Sequence, residues 1–174
     1  MGHDAVEIDF VMPWVDGSDP AWREEFLKYR ALQAPQGEPA CDTGTAAGAV
    51  DASEERYRDW DTLRYWFRGV ERFAPWVNRI HFITWGHLPA WLDTAHPKLH
   101  VVRHADYIPS PYLPTFNSCP IELNMHRIEG LAEHFVYFND DTFLCRPVGP
   151  ERFFLNGLPR DAARLAVIPA ERAG

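Results

Sequence analysis

The chain has 174 residues, 46% hydrophobic and 14% aromatic, which suits one globular domain with a packed core and excludes a disordered chain. Its net charge of -8 offers no broad basic field to neutralise phosphates, so nucleic acid is not expected as a partner. Three widely spaced cysteines, Cys41, Cys119 and Cys145, make neither a metal-binding pair nor an even disulfide framework, and point to a reducing compartment.

The first residues, MGHDAVEIDF, lack a basic region followed by a long apolar run, and no apolar stretch reaches bilayer length. A cytoplasmic protein without a membrane span, or one held peripherally at the inner membrane face, is expected. Residues 6–15 read as a buried strand. DGSDP follows as a turn, with Asp19 as helix cap and Pro20 at the first helical position. Trp22, Phe26 and Tyr29 then share one helical face. Residues 35–53 are rich in Gly, Ala, Pro and Thr without periodicity, and read as a mobile loop.

A second helix over 59–73 is signalled by Leu63, Phe67, Val70 and Phe73 and closed by Pro75. RIHFITW (79–85) and KLHVVR (98–103) read as strands, with LPAWLD between them as a short helical turn. Three prolines exclude regular helix from 107–117. The spacing of Ile121, Met125 and Ile128 predicts a helix over 118–132, and 134–138 reads as a fourth strand. Strands alternating with helices predict one α/β domain over residues 1–174: a mainly parallel sheet with helices on both faces and ligands at the strands' carboxyl ends.

Two acidic clusters fall at such ends. In FVYFNDDTFL, Asp140 and Asp141 are adjacent hard-oxygen donors whose repulsion Mg2+ or Mn2+ would relieve; the alternative is a turn cap beside a solvated carboxylate. Asn139 is placed to orient a carboxylate or bind a sugar hydroxyl. In DGSD, Asp16 and Asp19 flank a turn, where capping competes with ligand binding. Gly17 would let backbone N–H groups approach a nucleotide. On the predicted 118–132 helix, Glu122, His126 and Glu129 form a second face beside Arg127. There His126 reads either as a general base or as part of a surface ion pair. The start of that helix, Asn117-Ser118, is a candidate anion site. Arg56, Arg58, Arg64 and Arg68 are the main basic cluster, as a solvated face or as diphosphate contacts. The tryptophans read mainly as core. There is no phosphate loop, dinucleotide fingerprint, nucleophile elbow or HExxH.

Taken together, IDFVMPWVDGSDPAW (8–22) resembles the first signature block of the Stealth proteins. RYRDWDTLRYWFRGVERFAPWVNRIHFIT (56–84), LPTFNSCPIELNMHRIEGL (113–131) and FVYFNDDTFL resemble their second. That family includes bacterial capsular polysaccharide phosphotransferases and the catalytic subunit of the lysosomal-enzyme N-acetylglucosamine-1-phosphotransferase. The resemblance implies a nucleotide-sugar transferase core, GT-A-like and Rossmann-like. It implies metal-dependent transfer of hexose-1-phosphate from a UDP-sugar, such as UDP-N-acetylglucosamine, to a polysaccharide or glycan hydroxyl, with release of UMP. Asp140 and Asp141 would hold the metal, Asp16 and Gly17 would line the nucleotide pocket, and Arg64 or the 118 helix start would add positive charge. Third and fourth blocks usual in the family are not found. A fragment of a longer catalytic domain is therefore expected, with a complementing chain or a second copy as partner. Two other readings stay open: a metal-dependent glycosyltransferase releasing UDP, and a non-catalytic remnant that binds nucleotide-sugar or a partner chain.

Overall fold

Four strands build one parallel sheet in the order β3-β2-β1-β4: β1 Ile8–Pro13, β2 Ile80–Thr84, β3 Leu99–Arg103 and β4 His134–Tyr137. In register, Phe10 lies opposite Ile80 and Val136, and Ile83 lies opposite Val102. The structure, a computed structural model, describes residues 6–33, 57 and 59–161. The 35–53 segment, Cys41, Arg56 and Arg58 lie outside the described residues.

The expected α/β architecture is observed, and the reason is visible in β1, a near-continuous apolar run buried on both faces. Phe10, Met12 and Phe82 face one layer with Leu63, Trp66 and Val70 of the helix Leu63–Phe73 (α2). Val11, Ile83 and Val102 face the other, covered by Tyr107, Ile108, Met125 and Ile128. This second cover is built from short pieces: helix His104–Tyr107 (α3), a 3-10 turn at Ser110–Tyr112, helix Ser118–Leu123 (α4) and a 3-10 turn at Met125–Arg127. The helix Pro20–Gln33 (α1) begins as expected: Asp19 Oδ1 accepts the Trp22 N–H at 2.8 Å, with Pro20 at the first position. Its Trp22 and Phe26 stack at 5.0 Å and meet Tyr57 and Phe116 edge-on or tilted.

Three expectations need correction. The helix predicted over 118–132 ends at Leu123, because the Asn124 side chain donates to the Pro120 carbonyl at 2.8 Å and takes the acceptor a continuing helix would use. Ile121, Met125 and Ile128 still reach the core, but Glu122, His126 and Glu129 no longer share a helical face. LPAWLD forms the short turn expected, closed by the Leu92 N–H on the Pro89 carbonyl. Trp14, Trp22 and Trp66 are core, whereas Trp60 and Trp91 are 71% and 40% exposed. After 149 the chain forms a small hairpin, β5 Phe154–Leu155 with β6 Leu158–Pro159. Its Asn156-Gly157 turn, at φ 53° and 77°, is a sequence signal the reading passed over.

A polar row crosses the second face near the amino ends of the strands. Asp9, with 0% exposure, accepts from Asn78 Nδ2 at 2.8 Å and from the Ala132 N–H at 2.9 Å, and meets His81 Nε2 at 2.8 Å. His81 Nδ1 lies 3.0 Å from His100 Nδ1. Burial lowers the His81 pKa, against the opposing pull of Asp9, so the ring is held neutral.

Candidate active site at the strand switch point

In the order β3-β2-β1-β4, the chain leaves β1 toward β2 on one side, and after β3 it crosses to β4 on the other. The connections therefore diverge between β1 and β4, which opens a crevice beyond their carboxyl ends. A cavity of about 170 Å³ lies there. Pro13, Trp14 and Val15 leave β1 along one wall, and Tyr137, Asn139 and Asp140 leave β4 along another. His104, at the end of β3, and Thr115–Ser118 close a third side, with Trp22 and Tyr57 above. Trp22 and Tyr57, with ring centroids 4.9 Å apart, separate this cavity from a second hollow of about 210 Å³ that includes Asp16, Gly17, Arg23, Arg30 and Asp59.

The electrostatics of the first cavity are acidic. Loss of hydration raises the Asp140 carboxyl above the ordinary aspartate range, and the charges of Asp141 and then Asp59 raise it further. The Tyr137 hydroxyl lies 2.7 Å from Asn139 Oδ1 and 3.1 Å from Glu122 Oε1, so one proton serves two acceptors. Burial first, and Glu122 second, push that phenol upward. Burial lowers His104 to about 4, with a further small push from His87, so its imidazole is neutral at pH 7. His87 Nε2 accepts the Asp16 backbone N–H at 2.8 Å, which places the proton of its neutral ring on Nδ1. Two residues of the cavity wall carry buried ring nitrogens with no protein partner: Trp14 Nε1 and His104 Nδ1.

The structure brings Asn117, Ser118, Asn139 and Asp140 to one cavity, with Glu122 tied to its rim through Tyr137. Asp16 and Gly17 border the adjoining hollow. Several of these groups are already engaged by their own backbone. Asp16 Oδ1 accepts both the Ser18 N–H and its hydroxyl, and Asp19 caps α1. The Gly17 N–H donates to the Tyr57 carbonyl at 2.8 Å, and a side chain at 17 would collide with Tyr57. Gly17 therefore admits the Tyr57 backbone, and its own N–H is taken by that contact and not free for the nucleotide approach expected of this turn. The α4 start is likewise a poor anion site. The helix has six residues, Asn117 Oδ1 accepts the Cys119 N–H at 2.9 Å, and Pro120 has no N–H.

His126 and Arg127 are exposed on their 3-10 turn and do not line the cavity. Arg64 points elsewhere too, with one guanidinium nitrogen 3.1 Å from Asp61 and its carbon 5.6 Å from the Trp91 ring centroid. The arginines beside the site are Arg23 and Arg30 of α1, which the sequence reading passed over because neither belongs to an obvious motif. Among the described residues no group of three or more His, Cys, Asp and Glu side chains could hold a metal ion, so Asp140 and Asp141 stand as a pair.

Two family models match. One, described as Stealth protein CR2, conserved region 2, covers residues 56–161; the other, Stealth protein CR1, conserved region 1, covers residues 6–32. The capsular polysaccharide phosphotransferase WcwK of Streptococcus pneumoniae is 54% identical over 153 residues, 88% of this chain and 43% of the relative. The receptor polysaccharide phosphotransferase WefC of Streptococcus gordonii is 47% identical over 169 residues, 97% of this chain and 47% of the relative. The capsular polysaccharide phosphotransferase CpsJ of Streptococcus thermophilus is 47% identical over 156 residues, 88% of this chain and 60% of the relative. The chain spans about half the length of the curated relatives it matches. With both conserved regions in order and most of its length matched, the chain belongs to the Stealth family.

Proposed function

We propose that this chain provides the donor-binding part of a sugar-1-phosphate transferase of capsule or exopolysaccharide synthesis. It would move a hexose-1-phosphate from a UDP-sugar, for example UDP-N-acetylglucosamine, to a hydroxyl of a polysaccharide acceptor. The acceptor oxygen forms a bond to the phosphorus that carries the sugar, the bond from that phosphorus to UMP breaks, and the acceptor proton leaves to a base. The sugar–phosphate bond survives, so the product is a phosphodiester. Such a reaction depends on in-line positioning and charge neutralisation more than on a nucleophilic side chain, and no nucleophile is asked of this cavity.

One observation carries the reading: Asp140, three residues past the end of β4, lines the switch-point crevice with Asp141 next to it, and its carboxyl is raised by burial and by like charge. That excess of negative charge fits a divalent cation. Two carboxylates suit Mg2+ or Mn2+, which are commonly held by one or two protein carboxylates together with substrate phosphates. Bound there, the ion would neutralise the carboxylates and the diphosphate. The chain's own contributions are different. Trp14, Trp22 and Tyr57 give the cavity apolar walls, and the partnerless nitrogens of Trp14 and His104 offer hydrogen bonds to a polar ligand. Tyr137 fixes the Asn139 amide beside the acidic pair.

The test combines binding and product analysis. Mg2+ with UDP-N-acetylglucosamine should raise the melting temperature of the wild type, equivalent to about 2.7 kcal/mol at a hundredfold excess over Kd. Asp140→Asn with Asp141→Asn should abolish the gain. With a polysaccharide acceptor, UMP should accumulate. Accumulation of UDP would move the assignment to an ordinary glycosyltransferase, and no shift with any UDP-sugar would remove the donor site.

A further inference from the structure

The outward face of α2 is basic in a chain whose net charge is -8. Arg64, Arg68 and Arg72 repeat at four-residue spacing, which sets them in one row along the helix. Like charges at this spacing disfavour a helix. Asp61 offsets Arg64 and Glu71 flanks the row, but among the described residues no carboxylate bridges Arg68 or Arg72. The Nε of Arg64 is buried without a partner. Aromatic faces stand beside the row. Arg64 lies over Trp91 and Arg68 over Tyr65, at 5.6 and 5.9 Å from the ring centroids, and these rings are 40% and 59% exposed. A hollow of about 280 Å³ opens between Arg64, Phe67, Arg68, Glu71 and Trp91.

The helix also points the right way. Past its end, the Asn78 N–H bonds the Ile8 carbonyl at the start of β1, while just before it begins lies Asp59, whose charge acts on Asp140. The arginine row therefore leads away from the acidic pair along the outer surface. We infer that this face holds the growing saccharide acceptor: arginines meet its phosphodiesters, and Trp91 and Tyr65 stack on its sugar rings. The inference rests on the proposed reaction, in which each transfer adds one phosphodiester and one negative charge to the acceptor. Cations and rings stand side by side on this face, and such a chain offers both charges and sugars to meet them. A nucleic acid would also offer phosphodiesters and flat rings, but the chain's overall acidity disfavours a long polyanion without a sugar-specific contact.

The test is a fluorescence-polarisation titration of the folded protein with a tagged phosphodiester-linked oligosaccharide, a neutral oligosaccharide of equal length and oligothymidylate. The wild type should bind the phosphodiester-linked chain best, with affinity falling as salt rises. Arg68→Glu with Arg72→Glu should weaken that binding about tenfold or more, and Trp91→Ala should weaken it as well. Neither should change the thermal shift given by Mg2+ and UDP-N-acetylglucosamine. Unchanged saccharide affinity in both variants, or oligothymidylate bound as tightly as the saccharide, would overturn the inference. A wild type that binds the saccharide through these residues yet shows no donor shift would support this face and count against the proposed reaction instead.

Discussion

The buried Asp9 row allows a stability prediction to be worked atom by atom. Asp9 accepts from Asn78 and Ala132 and meets His81, all with no exposure of its own. In Asp9→Asn the retained oxygen can still serve Asn78. The new amide nitrogen then faces His81 Nε2 and the Ala132 N–H, both placed to donate. Neutral His81 can adapt by moving its proton to Nδ1, with His100 then accepting at Nδ1. The Ala132 amide cannot adapt. Leaving one buried donor unpaired costs about 1–3 kcal/mol. Asp9→Leu removes every acceptor and should cost more, about 3–6 kcal/mol by the same reasoning applied to several groups. Urea unfolding at pH 7 measures both, and hydrogen exchange at the Ala132 amide should accelerate in each variant. Equal stability of wild type and Asp9→Leu, or an unchanged exchange rate at Ala132, would refute the role assigned to this carboxylate.

Three further perturbations follow from the site's geometry. Gly17→Ala forces a methyl group against the Tyr57 backbone and should cost about 1–3 kcal/mol in urea melts, with both hollows widened. Asp140→Asn should leave the protein without ligand as stable as wild type or more so, because burial and Asp141 already work against that charge; a clear loss of melting temperature would return the motif to a structural role. His104 titrates near 4 when folded and near 6.5 when unfolded, so between these values the unfolded chain binds more protons and stability rises with pH. Its contribution is complete above about pH 6.5 and lost on acidification toward pH 4, amounting to about 3 kcal/mol. Urea melts of wild type and His104→Gln at both pH values isolate it from His81 and His87, whose shifts have the same sign.

The strands were legible because a sheet buried on both faces writes itself as mostly apolar runs, and IDFVMP, IHFIT and LHVVR read so despite Asp9, His81 and His100 within them. The helix α2 was legible for the complementary reason, one apolar stripe from Leu63 to Phe73 closed by a proline. Periodicity misled at 118–132. The apolar spacing there records which residues reach the core, and a helix, a turn and a 3-10 segment can deliver the same three side chains. What decides is Asn124, whose side chain competes for a backbone acceptor, and a hydrophobic pattern carries no trace of that competition. The Asp9 row was hidden for another reason: its members lie far apart in sequence and meet only through the register of three strands.

The same distinction sorts the candidate site. Asp16, Asp19, Gly17 and Asn117 occur where a chain must turn, cap a helix or let a neighbouring segment pass, and the structure shows each satisfying that local need. Residue type alone could not separate this from ligand binding, because turns and ligands ask for the same short polar side chains and the same glycines. Asn139, Asp140 and Asp141 differ. The Asn139 amide oxygen accepts from the hydroxyl of Tyr137, two residues before it, and Asp141 accepts only a long 3.4 Å contact from the next residue, Thr142. Asp140 carries a raised carboxyl that its own backbone hydrogen bond only partly offsets and that no neighbouring cation relieves among the causes acting on it. Local backbone chemistry accounts for the first acidic cluster and leaves the second with unbalanced charge at the mouth of the crevice. In the proposed reaction, the second cluster is where an external cation and a diphosphate would have most to contribute, and where substitution should affect ligand-dependent stability more than the fold itself.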